Sequence, residues 1–386
     1  MMISSPSLRP STTSTVLTEA WHARAVVFAA ACVMVGVYWD ISWHMSIGRD
    51  TFWTPAHLLI QAGGLIAGLT SGYVAIRTTF GDNTQARDAA VSFWGFKAPL
   101  GAWVAVWGCI AMVTSAPFDN WWHNAYGLDV RIISPPHTIL ALGIGAICIG
   151  ALLLTLAAQN RGGDGAKTAM WLFLVAGALA LLDRWVMLTE YSGKNQQHSG
   201  EFWRIAMLAY PMALVMIAKA AKMRWAATIS TAIFMAITLG AMWIFPLFPA
   251  TPKLGPIYQP ITHMVAMAFP LLLIVPAAGV DVVMERVRAK PYLLAPILSI
   301  VCFGLLLAVQ WPFASFLMTP AARNHFFNAE NFVYWMSPTG VEFSRSWAPD
   351  ETGSPLIVSF AIAVLYGTLS SFVGLVFGGW MTKVRR

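Results

Sequence analysis

The chain has 386 residues, 58% of them apolar and only 11% charged, with a mean hydropathy of +0.64 and a formal net charge of +7. A water-soluble surface needs about 25% charged residues, so a soluble multidomain protein, a disordered chain, a collagen-like repeat and a disulfide-rich secreted scaffold are excluded. The basic balance does not indicate nucleic acid, because no basic run carries interleaved aromatics; in so apolar a chain, excess Lys and Arg mark cytoplasmic loops.

Residues 1–24 are read as a disordered cytoplasmic N-terminus, rich in Ser, Thr and Pro. A cleaved signal peptide is not expected, because the apolar run after Arg24 continues past Asp40 without a cleavage site. A bilayer crossing takes about 20 apolar residues. Ten such stretches follow, near 25–46, 54–76, 98–118, 135–158, 168–189, 203–219, 225–247, 260–283, 292–316 and 356–380. The sixth is the shortest. The expected fold is therefore an all-α integral membrane protein with about ten transmembrane helices.

Orientation follows from basic residues in alternate loops. With the N-terminus inside, the inner set holds 16 of the 24 Lys and Arg against 6 acids, a balance of +10, leaving 8 against 11 outside, or −3. Both termini are expected in the cytoplasm. Of the eight histidines, only His22 falls inside; His44, His57, His123, His137, His198, His263 and His325 fall at outer loops or outer span ends. The cysteines (Cys32, Cys109, Cys148, Cys302) lie within spans and read as small apolar packing residues.

The first two hairpins share a pattern. YWDISWHMSIGRDTFWTPAHLLI (38–60) and FDNWWHNAYGLDVRIISPPHTIL (118–140) each give D-x3-H, a short outer loop with an acid (Asp50, Asp129), then (T/S)-P-x-H. The spacings are Asp40–x3–His44–x12–His57 and Asp119–x3–His123–x13–His137. Residues four apart share a helical face, and Pro55 and Pro135 suit the first turn of the next helix. A tight hairpin then sets the second histidine opposite the Asp–His pair. Both copies run in the same direction, as in a parallel internal repeat. Two His and one carboxylate with open positions suit copper, iron(II) or zinc.

The stretch Gly48-Arg49-Asp50-Thr51-Phe52-Trp53-Thr54-Pro55-Ala56-His57 resembles the R-D-T-x-F-T-P-S-H signature of the C subunit of copper membrane monooxygenases, which oxidise methane, other short alkanes or ammonia. The resemblance implies that Asp40, His44 and His57 bind one copper. The family's second motif, N-x3-H-x13-H, is matched in spacing by Asp119, His123 and His137, with Asp119 in place of the family's Asn. The match covers residues 25–158, and the family enzymes work with other subunits, one carrying a periplasmic copper domain absent here.

Residues 159–317 read as a helical bundle of unassigned role. Asp183 and Arg184, near the outer end of span five, read as a structural ion pair or as groups orienting metal-bound histidines, with His198 beyond them. His263, at the start of span eight, and His325 are further metal or substrate candidates. Residues 318–355 form a long outer loop, a lid over the metal sites or a docking surface, and 356–386 a last span with a basic tail. Tryptophans at span ends (Trp39, Trp43, Trp53, Trp121, Trp122, Trp203, Trp243, Trp311) read first as an interfacial belt. No nucleotide-binding, covalent-haem or nucleophile-elbow motif is present. The expected protein is a copper-binding subunit in the bacterial inner membrane, its sites facing the periplasm. It would activate dioxygen toward a small apolar or uncharged molecule with other monooxygenase-type subunits or a periplasmic electron or copper donor. The alternatives are periplasmic copper delivery for respiratory oxidase assembly and metal transport.

Overall fold

A computed structural model describes residues 13–48, 53–127, 134–348 and 352–385, with side chains from residue 21 onward. Among these, twelve α-helices account for nearly all regular structure: α1 Thr13–Ser46, α2 Pro55–Phe80, α3 Thr84–Asp88, α4 Leu100–Tyr126, α5 Pro135–Arg161, α6 Ala166–Met187, α7 Gly200–Ala220, α8 Ala226–Ile244, α9 Ile274–Arg286, α10 Pro291–Leu317, α11 Pro338–Arg345 and α12 Ser354–Met381. One small hairpin, β1 Val91–Phe93 and β2 Phe96–Ala98, joins α3 to α4. Nine of the helices are long and apolar enough to cross a membrane. The molecule is an all-α, multi-pass membrane protein. Its first helix starts at Thr13, so the segment expected to be disordered is partly helical; Thr13 to Arg24 holds neither Gly nor Pro to interrupt a helix.

The hairpins α1–α2 and α4–α5 are built alike. Gly63 of α2 sits so close to α1 that a β-carbon there would lie 2.7 Å from the Ala29 carbonyl and 3.0 Å from Val33 N. Gly143 of α5 meets the Gly108 carbonyl at 2.8 Å and Met112 N at 3.0 Å. Each glycine follows its hairpin's second histidine by six residues, and their partners occupy equivalent places in the two copies. Missing side chains let the helix backbones touch, the usual basis of tight helix pairing in lipid. Gly48 and Gly127, each four residues after the first histidine, both take positive φ (84° and 86°) as the chain leaves the helix.

The expected eighth span, 260–283, is only half helical. Met264–Leu271 is non-helical and buried except at Ala268 before α9 begins, and Pro270 opposes a continuous helix there. Hydropathy registers the apolar run but not its backbone shape. The segment still passes from one end of α8 to the other: Met264 N–H donates to the Phe248 carbonyl, and Asp281 accepts from Ala227 and Thr228 N–H. Non-helical backbone survives at membrane depth only if other groups satisfy it. Ser42 Oγ donates to the Val265 carbonyl (2.7 Å), and Ser46 Oγ accepts from Val265 N–H (2.7 Å). Asn328 donates to the Ala266 and Met267 carbonyls, and Gln310 accepts from Leu272 N–H. Ser46→Ala strips an acceptor from a buried N–H and should cost about 1–3 kcal/mol. A lowered melting midpoint in detergent tests this; an unchanged one places the seam's support elsewhere.

Residues 318–348, the described part of the long loop, are not structureless. They hold α11 and fold back onto the end of α1: Tyr334 N–H donates to the Met45 carbonyl (3.3 Å), and its own carbonyl accepts from Tyr258 and Gln259 N–H (both 2.9 Å). Gly48 is boxed in by Tyr334 and Leu254, leaving no space for a side chain. At the opposite end of the bundle, Asn160 of α5 donates to the carbonyls of Met381, the last residue of α12, and Val384 just after it, and Gln159 to that of Ala220 at the end of α7. The duplicated motifs thus share one end of the bundle, away from the close of the last helix.

Candidate metal centre

Local chemistry explains where each histidine stands. Thr54 and Ser134 are N-caps of α2 and α5, their hydroxyls accepting from the backbone N–H of His57 and His137 (both 3.4 Å). The motif (T/S)-P-x-H is therefore a cap, a proline in the first turn, and a histidine in that turn facing the preceding helix. Capping is the part that proline-based reading of the sequence missed.

The two triads close as the spacing predicts. Asp40 Oδ1 lies 3.0 Å from His57 Nε2, and Asp40 Oδ2 lies 3.7 Å from His44 Nε2. Asp119 Oδ1 lies 3.1 Å from His123 Nε2 and 3.4 Å from His137 Nε2. Ligand atoms about 2.1 Å from a shared ion and 90–110° apart would be ~3.0–3.4 Å from each other; three of the four separations fall in that range, and His44 at 3.7 Å stands slightly wide of it. Within each triad one donor atom per residue falls within 4.8 Å of the others. Both groups could hold a metal ion. His44 is the most open, its side chain 42% exposed against 11% for His123. His123 Nδ1 lies 3.0 Å from the Gly127 carbonyl, a contact that assigns Nδ1 as donor and frees Nε2 for a ligand. The two hairpins that carry the triads pack against each other, α2 on α4 and α1 on α5.

The other candidates within the described residues lie apart from these clusters. Asp50 and Asp129 are outside the described residues. Arg184 donates to the Ala180 carbonyl (2.9 Å) on its own helix instead of forming an ion pair with Asp183; consecutive residues on a helix point about 100° apart, which separates the two charges. His198 is sandwiched between Trp311 (3.8 Å) and Trp347 (3.6 Å), with Nε2 3.0 Å from the Trp311 carbonyl, so it holds the long loop against α10. His263 and His325 are exposed, and His263 Nδ1 lies 2.9 Å from Thr262 Oγ1. Trp53 and Trp121 are exposed as a belt requires, but Trp203 is fully buried among Phe303, Trp311 and Phe360. The four cysteines are free and outside both triads.

The fold and site define a multi-pass helical membrane protein with two preorganised His/Asp clusters at one end of a repeated pair of hairpins. No protein-family model, curated protein or solved structure matches the chain.

Proposed function

We propose that this protein is the metal-holding subunit of a copper-dependent membrane oxygenase, with its clusters at the periplasmic face of a bacterial inner membrane. The observation that carries the reading is the doubled carboxylate–His–His geometry on hairpins whose sequence resembles the copper membrane monooxygenase signature. Asp40, His44 and His57 would hold one ion, and Asp119, His123 and His137 another. Copper bound there supplies one-electron redox chemistry and open positions for dioxygen. The carboxylate in each triad offsets cationic charge, and the helix-first-turn histidines fix the donor directions without reorganisation. Phe118, Trp121, Trp122 and Tyr126 stack beside the second triad, with Trp122 and Tyr126 ring centres 4.5 Å apart. They give that end of α4 an apolar, aromatic surface, in keeping with a small apolar or uncharged substrate. Electrons come from a separate donor, and monooxygenase-type partner subunits complete the assembly.

The test is copper loading of the purified chain followed by spectroscopy and isotope-labelled turnover. Copper(II) signals should report nitrogen and oxygen ligation; thiolate signals would contradict the assignment. With a reductant and labelled dioxygen, native membranes containing the chain should place the label in the alcohol formed from a short alkane. Copper retention without labelled product would overturn the oxygenase reading and leave metal holding or delivery.

A further inference from the structure

The end of α1 that carries His44 also walls a cavity separate from both triads. Five chain segments border it: Met45 from α1, the turn at 193–197, the non-helical run at 266–269, Leu317 at the end of α10, and the folded loop at 327–344. Its volume is about 180 Å³. A hole of ~150 Å³ admits benzene, so this one suits roughly six to nine non-hydrogen atoms. Much of the wall is apolar, with Met45, Phe269, Leu317, Phe327, Val333 and Met336.

Lys194 is the one charged side chain among the described residues lining it. Its ammonium donates to the Ala329 carbonyl and lies 5.2 Å from the Phe332 ring centre, neither of which cancels a charge. The nearby carboxylate, Glu330, is engaged by Arg323 at 3.1 Å and by Arg345. Three cations therefore face one anion. Burial pushes the Lys194 ammonium below the usual lysine range; Glu330 opposes that, and Arg323 and Arg345 reinforce it. The neighbouring amides are largely committed within the protein, Asn328 to the Ala266 and Met267 carbonyls and Gln197 to Gln310 and Ser192. A desolvated cation in a surplus positive field, at the edge of an apolar hole, fits an anionic head on a short apolar body.

We propose that this cavity binds a small aliphatic monocarboxylate, its carboxylate on Lys194 and a tail of about five carbons against Met45, Phe269 and Met336. The inference stands on this cavity alone and does not depend on the metal reading.

Hexanoate is the probe, titrated calorimetrically into the full chain in a neutral maltoside detergent, with hexan-1-ol as the uncharged comparison. Saturable binding of one hexanoate per chain is expected, with hexan-1-ol at least about tenfold weaker, the scale of a charge-assisted hydrogen bond. Lys194→Met keeps the stem and removes the charge, and should weaken hexanoate by a similar factor. Ala268→Phe places a ring in the cavity while leaving Lys194 intact, and should abolish binding at unchanged metal content. No binding to the wild type, equal affinity for the alcohol, or undiminished binding by either folded variant would overturn the proposal.

Discussion

His57→Ala should remove one of two bound metal ions, and His137→Ala the other. Each triad offers one carboxylate and two imidazoles; without the histidine from the second helix, only an Asp–His pair on a single helix remains. That pair cannot enclose an ion, because the missing donor came from across the hairpin. The affinity loss should exceed the roughly 10–100-fold that follows loss of a group merely supporting a ligand. Metal analysis of purified protein should fall from two ions per chain to one in either variant and to none in the double variant. His263→Ala and His325→Ala, both at exposed positions outside the triads, should leave two. An unchanged count in His57→Ala and His137→Ala would mean that the metal is held elsewhere.

Gly143→Val is expected to be nearly as damaging, although it touches no ligand. A β-carbon at this position would sit 2.8 Å from a backbone carbonyl of α4, and backbone cannot step aside as a side-chain tip can. Overpacking ordinarily costs about 1–3 kcal/mol, and a backbone clash belongs at the upper end. Gly143 lies six residues below His137, about 9 Å along the helix. Prising α5 from α4 there tilts His137 away from Asp119. The melting midpoint should drop, with metal lost from the second site while the first retains its ion. Gly63→Val should give the mirror-image result. Gly145→Ala is the control, since no atom lies within 4 Å of the added carbon. Full metal content at wild-type stability in Gly143→Val would show that close backbone approach is not what positions the triad.

Local features made the triads legible in the sequence. D-x3-H states a helical face, (T/S)-P-x-H states a helix start, and a short connection leaves the two elements little choice but to oppose each other. Ligand separations of 3.0–3.7 Å follow from those constraints. Gly63 and Gly143 were equally local but invisible without structure, because a glycine in an apolar helix does not say which neighbour it admits. The eighth span was misread for a different reason. An apolar run registers as a crossing whether helical or not, and the groups that support it, Ser42, Ser46, Gln310 and Asn328, are remote in sequence. Asp183 and Arg184 make no close ion pair among the described residues, because adjacency along a helix opposes adjacency in space. The Lys194 cavity needs five distant segments and leaves no motif at all.

The seam between α1 and the non-helical segment has a consequence for biosynthesis. The bond from Ser42 to Val265 joins residues 223 apart, and Tyr334 must be made before it can cap Met45. Each helical hairpin can pair soon after it enters the membrane, so both ligand triads can assemble while most of the chain is still unsynthesised. Their anchorage comes much later. During that interval the first triad stands on a helix whose C-terminal end is uncapped, with Gly48 not yet enclosed. A nascent chain truncated after residue 162 should therefore take up metal yet release it to a chelator faster than the finished protein. The lock on the first site is supplied by the half of the chain that contributes no ligand to it.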